Sequence, residues 1–459
     1  MNYPGVLQNT LPSPEGDTLM QRRTRLVLAP LAAGTLLGIA LTACAPGATT
    51  SGPAADVEAS TELTTDEITL TLMSTPESGA ATEATIAAFE AEHPNITIEY
   101  SQTNYDDYNQ SVNLNLSGDQ SPDIVLLNAV ANTVKNKLVL PLDDYAGLYG
   151  WDDFYPANQL NQWRVADDGT TLGEGGALYA APAGFSLVGA YYNKALAAQL
   201  GIEAPQSPAD FEKALQTASA AGALPVQVGN AEGHAAFVVQ LLGQGSSGAD
   251  TANAWAFGHE GETFETDANR DAAQTLVDWQ KAGYLGDPTT VNGTDLQGAV
   301  DNFIAGKGLF LVDGIWDAGK IGDGLGADAG FLPFPGENVT GIGTSVAYAI
   351  SSQSEHPNEA AAFLDFLRSP EASEQQFAQG FMPNDPTVAV AEDGTLQGDI
   401  VAAWAQIADA DGLVAFNNNA TATMNDALKA GTQQLIAGQT TVDAFLSSVQ
   451  GDWAAAHAG

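Results

Sequence analysis

The sequence predicts a mixed α/β protein organised around a parallel sheet, and three local patterns carry that expectation. Ile68-Thr-Leu70-Thr-Leu72 alternates apolar and polar residues, the period of a strand with one buried face. Thr82 to Glu92 has helical spacing, with Ile86 and Phe89 on the inward face, and His93-Pro94 stops it. Ile96-Thr-Ile98-Glu-Tyr100 alternates again. Strand, helix and strand in so short a span form a βαβ unit, which requires parallel neighbours. The run after Pro122, from Asp123 to Leu127, is almost continuously apolar, as expected of a strand buried on both faces.

Taken in order, the remaining elements extend this alternation. Tyr105 to Leu116 reads as a helix. Leu138 to Asp143 is a further short apolar piece. Leu178 to Pro182 reads as a strand that runs into Gly184-Phe185-Ser186 and then Gly189 to Lys194. Ala195 to Leu200 is a short helix stopped by Gly201, and Pro208 starts another that reaches about Ala221. Ala236 to Leu242 and Ala272 to Ala282 are helical by pattern. Leu309 to Val312 is a short buried run ended by Asp313-Gly314, where glycine frees the backbone at the bend. Gly330 to Pro335 and Tyr348 to Ile350 read as strands, and Glu359 to Leu367 as a helix. The last quarter is helical: 400–407, 423–437 and 442–455. No internal repeat of 20 to 50 residues is present.

Composition narrows the function. The chain has 459 residues, enough for two or three domains, and is 44% hydrophobic. Lys and Arg number 14 against 56 Asp and Glu, so the formal net charge is -42. Such a field repels phosphate backbones and anionic lipid heads, which argues against a nucleic-acid partner or a polybasic membrane patch. Charged residues are only 15% of the chain, unlike a disordered acidic tail. The single cysteine, Cys44, allows neither an internal disulfide nor a multi-cysteine metal site, and the five histidines are scattered. No metal and no cofactor is expected. Asp267-x-Asn269-x-Asp271 is not a calcium loop, because Ala272 stands where the turn needs glycine.

The N-terminus points to export. Basic residues at Arg22, Arg23 and Arg25 precede a mostly apolar stretch from Leu26 to Leu41. That stretch is shorter than the roughly 20 residues of a membrane-spanning helix and suits a secretory signal. It ends in Leu41-Thr42-Ala43-Cys44, which looks like the lipobox of a bacterial lipoprotein, where the Cys thiol carries the lipid. The expected division is a leader and signal over 1–43 and a flexible tether over 44–65. Residues 1–19 precede a signal already complete from Met20, so translation is expected to start there. About 20 tether residues at ~5–6 Å × √n would span roughly 25 Å.

The order of motifs resembles the family 1 extracellular solute-binding proteins, the carbohydrate-type receptors of ABC importers. Five markers over residues 66–455 carry the resemblance. They are Phe89 to Ile98 around Pro94, Pro122-Asp123-Ile124-Val125, and Tyr192-Asn193-Lys194 with Leu200-Gly201-Ile202 beyond. The fourth is Phe303 to Trp316, an F-x-x-G-K run leading to G-x-W, and the fifth is Ala360 to Leu367. The resemblance implies a two-lobed periplasmic-binding-protein-like fold whose hinge the chain crosses about three times, near 184–190, 330–335 and 377–386. Lobe 1 would comprise 66–185 and 333–380, and lobe 2 would comprise 186–332 and 381–459. It implies reversible capture rather than catalysis. The partners would be a small carbohydrate, permease subunits of an ABC importer and the membrane through a lipid on Cys44. The receptor itself is expected to be a monomer.

Sugars have apolar ring faces and hydroxyl rims, so their sites combine flat aromatics with carboxylates or amides. Trp316 matches the family's G-x-W position, although tryptophan is mostly buried and core packing is the simpler reading of that stretch alone. Further candidates are Glu77 after the first strand, Asn128 at the end of the buried strand, Phe185 and Ser186 at the first crossing, and His234 in a Gly-rich loop. Asp313 beside the tryptophan, and Thr344 and Phe381 near the later crossings, complete the set. Asp123 reads as a turn cap; Tyr105, Asp106 and Asp107 are further cleft candidates, with a helix N-cap an equal explanation of Asp106 or Asp107. No arginine cluster is present to clamp a phosphate or sugar acid, so a neutral carbohydrate fits best. A cationic solute such as a polyamine is the second candidate. A glycoside-acting enzyme is the third, but among so many carboxylates a suitably spaced pair carries no information.

Overall fold

The computed structural model describes residues 57–457 apart from 129, 156 and 174. The leader, the lipobox with Cys44 and most of the tether lie outside the described residues. Among the described residues no helix is long and apolar enough to cross a membrane.

In chain order the strands of the two main sheets are β1 (Ile68–Ser74), β2 (Ile96–Gln102), β3 (Ile124–Leu126), β4 (Ala181–Phe185), β5 (Val188–Asn193) and β6 (Val226–Gln227). They continue with β7 (Phe310–Gly314), β8 (Ala329–Leu332), β9 (Gly341–Ile342), β10 (Ser345–Ile350) and β11 (Leu413–Val414). The helices that matter below are α1 (Gly79–Glu92), α2 (Tyr105–Leu116), α3 (Ala235–Ser247), α4 (Leu296–Ile304), α5 (Pro357–Phe366) and α6 (Met424–Ile436).

Two sheets organise two lobes. The first runs β2-β1-β3-β10-β4. Its β1 pairs β2 in parallel with Ile68 opposite Ile96, as the βαβ pattern requires. β10 joins antiparallel to both β3 and β4, so the sheet is mixed rather than wholly parallel. Leu70 and Leu72 of β1 face the core with Ile86 and Phe89 of α1. Phe89 meets Phe363 and Phe366 of α5 edge-on, with centroids at 5.4 and 5.6 Å. Chain from beyond residue 345 thus completes the lobe begun at residue 66.

The second sheet runs β11-β9-β5-β7-β6, with β8 sharing the β9 edge of β5. Leu332 of β8 lies opposite Ala190, and Ile342 of β9 opposite Val188. This corrects the second crossing. The Pro-Gly stretch after Leu332 is a loop within the second lobe, where Phe334 packs in the core. The chain returns to the first sheet at Gly343-Thr344, so 333–342 belong to lobe 2. The Pro and Gly residues that resemble a hinge are there because two short strands must both reach the same edge of β5.

Backbone hydrogen bonds lash the crossings together. Ser186 donates to the Thr344 carbonyl at 2.9 Å, and Phe185 and Met382 exchange two bonds at 2.7 and 2.9 Å.

The last part of the stretch read as tether is pinned to lobe 1. Ser60 N donates to Asn358 Oδ1 at 3.1 Å, and Thr64 N donates to Glu359 Oε1 at 2.8 Å. Asn95 Nδ2 donates to the Thr64 and Asp66 carbonyls, and Ala59 and Leu63 pack on the core. Composition reads this segment as flexible because its partners come from about 300 residues further along the chain.

Candidate functional site

The first lobe presents the ends of its central strands. β1 runs out at Thr75 into a one-turn 3-10 helix, Pro76–Ser78. β3 runs out into Leu127 and Asn128. Tyr108 of α2 fixes this end by donating its hydroxyl to the Leu126 carbonyl at 2.6 Å. Trp163 lies beside them, its indole nitrogen donating to Ser345 Oγ at 2.6 Å.

The second lobe presents rings. β7 ends at Gly314, opposite Val188, and Ile315 N donates to the Leu187 carbonyl at 2.9 Å. This holds the 3-10 turn Ile315–Asp317, and Trp316 within it, against the first crossing. Phe237 of α3 and Phe416 complete a cluster: the ring of Trp316 lies 6.4 Å from each, and theirs lie 5.6 Å apart. Gln240 of α3 fastens the Phe416 loop, donating to the Ala415 carbonyl at 2.7 Å and accepting from Asn417 N at 3.0 Å.

Between the lobes lies a cavity of about 460 Å³, within the roughly 300–1,000 Å³ usual for small-molecule sites. Lobe 1 contributes Thr75, Ser78, Asn104, Leu127, Asn128 and Trp163. Lobe 2 contributes His234, Phe237, Trp316, Phe416, Asn418, Asn419, Asn425 and Lys429. Ser186, Thr344, Ser345 and Phe381 line its hinge side. Flat rings thus face a rim of amides and hydroxyls. Asn418 Oδ1 is buried with no protein donor, an acceptor available to a ligand hydroxyl.

Two charges of opposite sign lie in the wall. Glu232 Oε2 accepts from Leu296 N at 3.0 Å and stands 3.8 Å from His234 Nδ1. Lys429 of α6 forms no ion pair among the described residues. Among the described residues no cluster of three His, Cys, Asp or Glu could hold a metal.

The structure gathers Trp316, Asn128, Ser186, His234, Thr344 and Phe381 around this one cavity. Two candidates lie elsewhere. Phe185 is 1% exposed and packs on Trp404 at 5.4 Å, because its position in β4 turns it into the core behind the hinge while Ser186 faces the cavity. Asp313 is wholly buried beneath the tryptophan turn and does not line the cavity. The side chain of Glu77 lies outside the described residues; Thr75 and Ser78 beside it line the wall. The N-cap of α2 is Asn104 rather than an aspartate, accepting from Asp107 N at 3.0 Å.

Sequence reasoning missed Trp163, Phe237, Phe416, the asparagines of 418–425 and Lys429. The Phe416-Asn-Asn-Asn419 run was the available signal, an amide cluster beside a ring in a segment otherwise read as helical. Trp163, Phe237 and Lys429 carry no local signal, since each becomes part of the wall through contacts with distant chain.

A cavity held between two α/β lobes, with rings on one side and amide rims around it, is the site of a protein that captures a small solute. The chain belongs to the family of bacterial extracellular solute-binding proteins, whose family model matches residues 74–374. Among solved structures it is similar to a chitin oligosaccharide binding protein at 23% identity and TM-score 0.72, covering 86% of this chain and all of that one. A second comes from work on xylan utilization by the thermophilic bacterium Caldanaerobius polysaccharolyticus. It is 22% identical with TM-score 0.70, covering 84% of this chain and 99% of that one. A third is an ABC substrate-binding protein from Listeria monocytogenes in complex with cycloalternan, 18% identical with TM-score 0.65, covering 85% and 99%. These likenesses show the shared fold. Among curated proteins no match was found.

Proposed function

We propose that this chain is a monomeric, extracytoplasmic receptor that captures a neutral carbohydrate between its lobes and delivers it to an ABC importer. The carrying observation is the Trp316, Phe237 and Phe416 ring cluster facing a rim of asparagines and hydroxyls in a cavity of about 460 Å³. Apolar sugar faces suit the rings, and hydroxyls suit the amides, which donate and accept. The oligosaccharide names attached to two of the similar structures support the same ligand class. Glu232 and Lys429 bring opposite charges to the wall, which suits a neutral ligand over a polycation. Leu41-Thr42-Ala43-Cys44 supports a lipid anchor on Cys44, which would hold the receptor at the outer face of the membrane.

Function follows from population shift. Ligand that touches both lobes favours the closed state over the open one, and closure reports occupancy to the permease. The test is a thermal-shift screen of the chain lacking residues 1–44 against neutral mono- and oligosaccharides, uronic acids and polyamines. A neutral sugar at about 100 times its dissociation constant should add roughly 2.7 kcal/mol of stability. The Trp316→Ala variant should stay folded and bind about 10- to 100-fold more weakly, the loss of a stacked ring and its buried area. A shift by polyamine alone would overturn the carbohydrate reading, and hydrolysis of a screened glycan would indicate an enzyme.

A further inference from the structure

The turn that carries Trp316 is bracketed by two acids in sequence, Asp313 and Asp317, and both are buried, at 0% and 6% exposure. Each spends one oxygen on the protein. Asp313 Oδ1 accepts from Gly314 N at 2.7 Å, and Asp317 Oδ1 accepts from Gln297 Nε2 of α4 at 3.0 Å. The other oxygen, Oδ2 in both, is buried with no protein donor.

Neither acid has a counter-ion among the described residues. Lys320, which follows on the next helix, instead donates to Gln297 Oε1 at 2.8 Å and pairs with Asp301 at 2.7 Å. Tyr191 of β5 is the other titratable group packed here, and it spends its hydroxyl on the Gly314 carbonyl at 3.0 Å. Two adjoining carboxylates cannot both keep their charge in such a place, since burial without a cation penalises the ionised form and each repels the other. A proton held between them removes both penalties and gives each orphan oxygen a partner.

We propose that Asp313 and Asp317 share one proton through their buried Oδ2 atoms, and that this acid pair positions Trp316 in the cleft wall. The proposal rests on the reading of Trp316 as a ligand-facing ring. Asp313 meets both the Asp317 carboxyl and the Trp316 indole N–H, and the N–H favours the ionised form but is outweighed. Burial first, and then the neighbouring Asp317 charge, hold the Asp313 carboxyl well above the ordinary carboxylate range. The indole folds back over Gly314, so closely that a Cβ there would collide with its ring carbons. The turn therefore leaves the ring little freedom while the pair stays closed. Ionisation of both acids would drive them apart and release the ring.

The sign of the pH effect follows. The folded state holds this proton more tightly than the unfolded chain does. Stability attributable to the pair is therefore fully present below the free aspartate value of about 3.9 and declines as pH rises above it. Asp313→Asn retains an N–H donor toward Asp317 and has no proton to lose.

The decisive measurement is infrared difference spectroscopy of the chain lacking residues 1–44, near neutral pH. A buried protonated-carboxyl C=O band should be present in the parent, lost in Asp313→Asn, and kept but shifted in Asp317→Asn, where burial still holds the Asp313 proton but its partner has changed. Absence of the band from the parent, its survival in Asp313→Asn, or an unshifted band in Asp317→Asn would overturn the shared proton. Acrylamide quenching of Trp316, read as parent minus Trp316→Phe, tests positioning. It should rise with pH in the parent, stay flat in Asp313→Asn and be raised at every pH in Asp313→Ala. Quenching that is pH-independent in the parent would remove the positioning role, and Asp313→Asn keeps this test usable if Asp313→Ala does not fold. The two readings separate cleanly. Sugar binding that survives Trp316→Ala sinks the ligand assignment while leaving the band in place. A missing band sinks the pair while Trp316→Ala still weakens binding.

Discussion

A Cβ placed on Gly314 would collide with three ring carbons of Trp316. The backbone there is ordinary, with φ of -89° and ψ of 162°. Glycine is therefore needed for the room it leaves rather than for the conformation it allows, which corrects the reading of this position as a freed bend. Gly314→Ala should preserve the fold at an overpacking cost of about 1–3 kcal/mol. It should also push the indole off its seat and weaken sugar binding about tenfold or more, equivalent to roughly 1.4 kcal/mol. Calorimetric titration alongside a thermal melt checks both parts, and unchanged affinity would show that the ring's seat is immaterial. At this scale Trp316 was legible because a motif marks it. Asp313 was not: in a chain with 56 acids a carboxylate next to a tryptophan says nothing about which way it points. The pairing of Gly189 with Asp313 across β5 and β7 settles that.

Elements show where local pattern suffices. β1, α1 and β2 are each long enough for their period to register, and the structure sets them in the expected parallel register. The second lobe hides its strands because β6, β9 and β11 have two residues each, too few for alternation to exist. They are strands only because neighbours offer edges: β7 to β6, β5 to β9, and β9 in turn to β11. Asp123 illustrates the same dependence. Read as a turn cap, it ties three parts of lobe 1: its Oδ2 accepts from Thr71 N and Oγ1, both at 2.9 Å, and its Oδ1 accepts from Ser354 Oγ at 2.6 Å. Hydrogen bonds to a charged group contribute about 1.5–3 kcal/mol each at most, and their losses overlap, so Asp123→Ala should cost about 2–4 kcal/mol. A urea melt should show the midpoint fall, and a midpoint within experimental scatter of the parent would dismiss the tie.

For the whole molecule the relevant property is the three-stranded connection between lobes. Crossings that share backbone hydrogen bonds at Ser186–Thr344 and Phe185–Met382 bend together, so one closing motion is expected rather than independent lobe drift. Small-angle scattering should show the radius of gyration fall when the sugar found in the thermal-shift screen saturates the protein. Trp316→Ala at the same sugar concentration should keep the open value. A radius that never changes with bound sugar would exclude closure as the signal.

The α/β class, the first βαβ unit, the strongly acidic composition and the family with its conspicuous tryptophan were all readable from the chain alone. All of these reside in neighbouring residues or in totals, which are readable without knowing what packs on what. Tertiary structure alone decided that Phe185 turns inward while Ser186 faces the cavity, that 333–342 stay with the second lobe, and that 57–65 lie against the first. It also decided that Phe237, Phe416 and Trp163 join Trp316 around one cavity. Each of these depends on contacts between segments tens to hundreds of residues apart, where the partner, and not the local pattern, sets the side chain's direction.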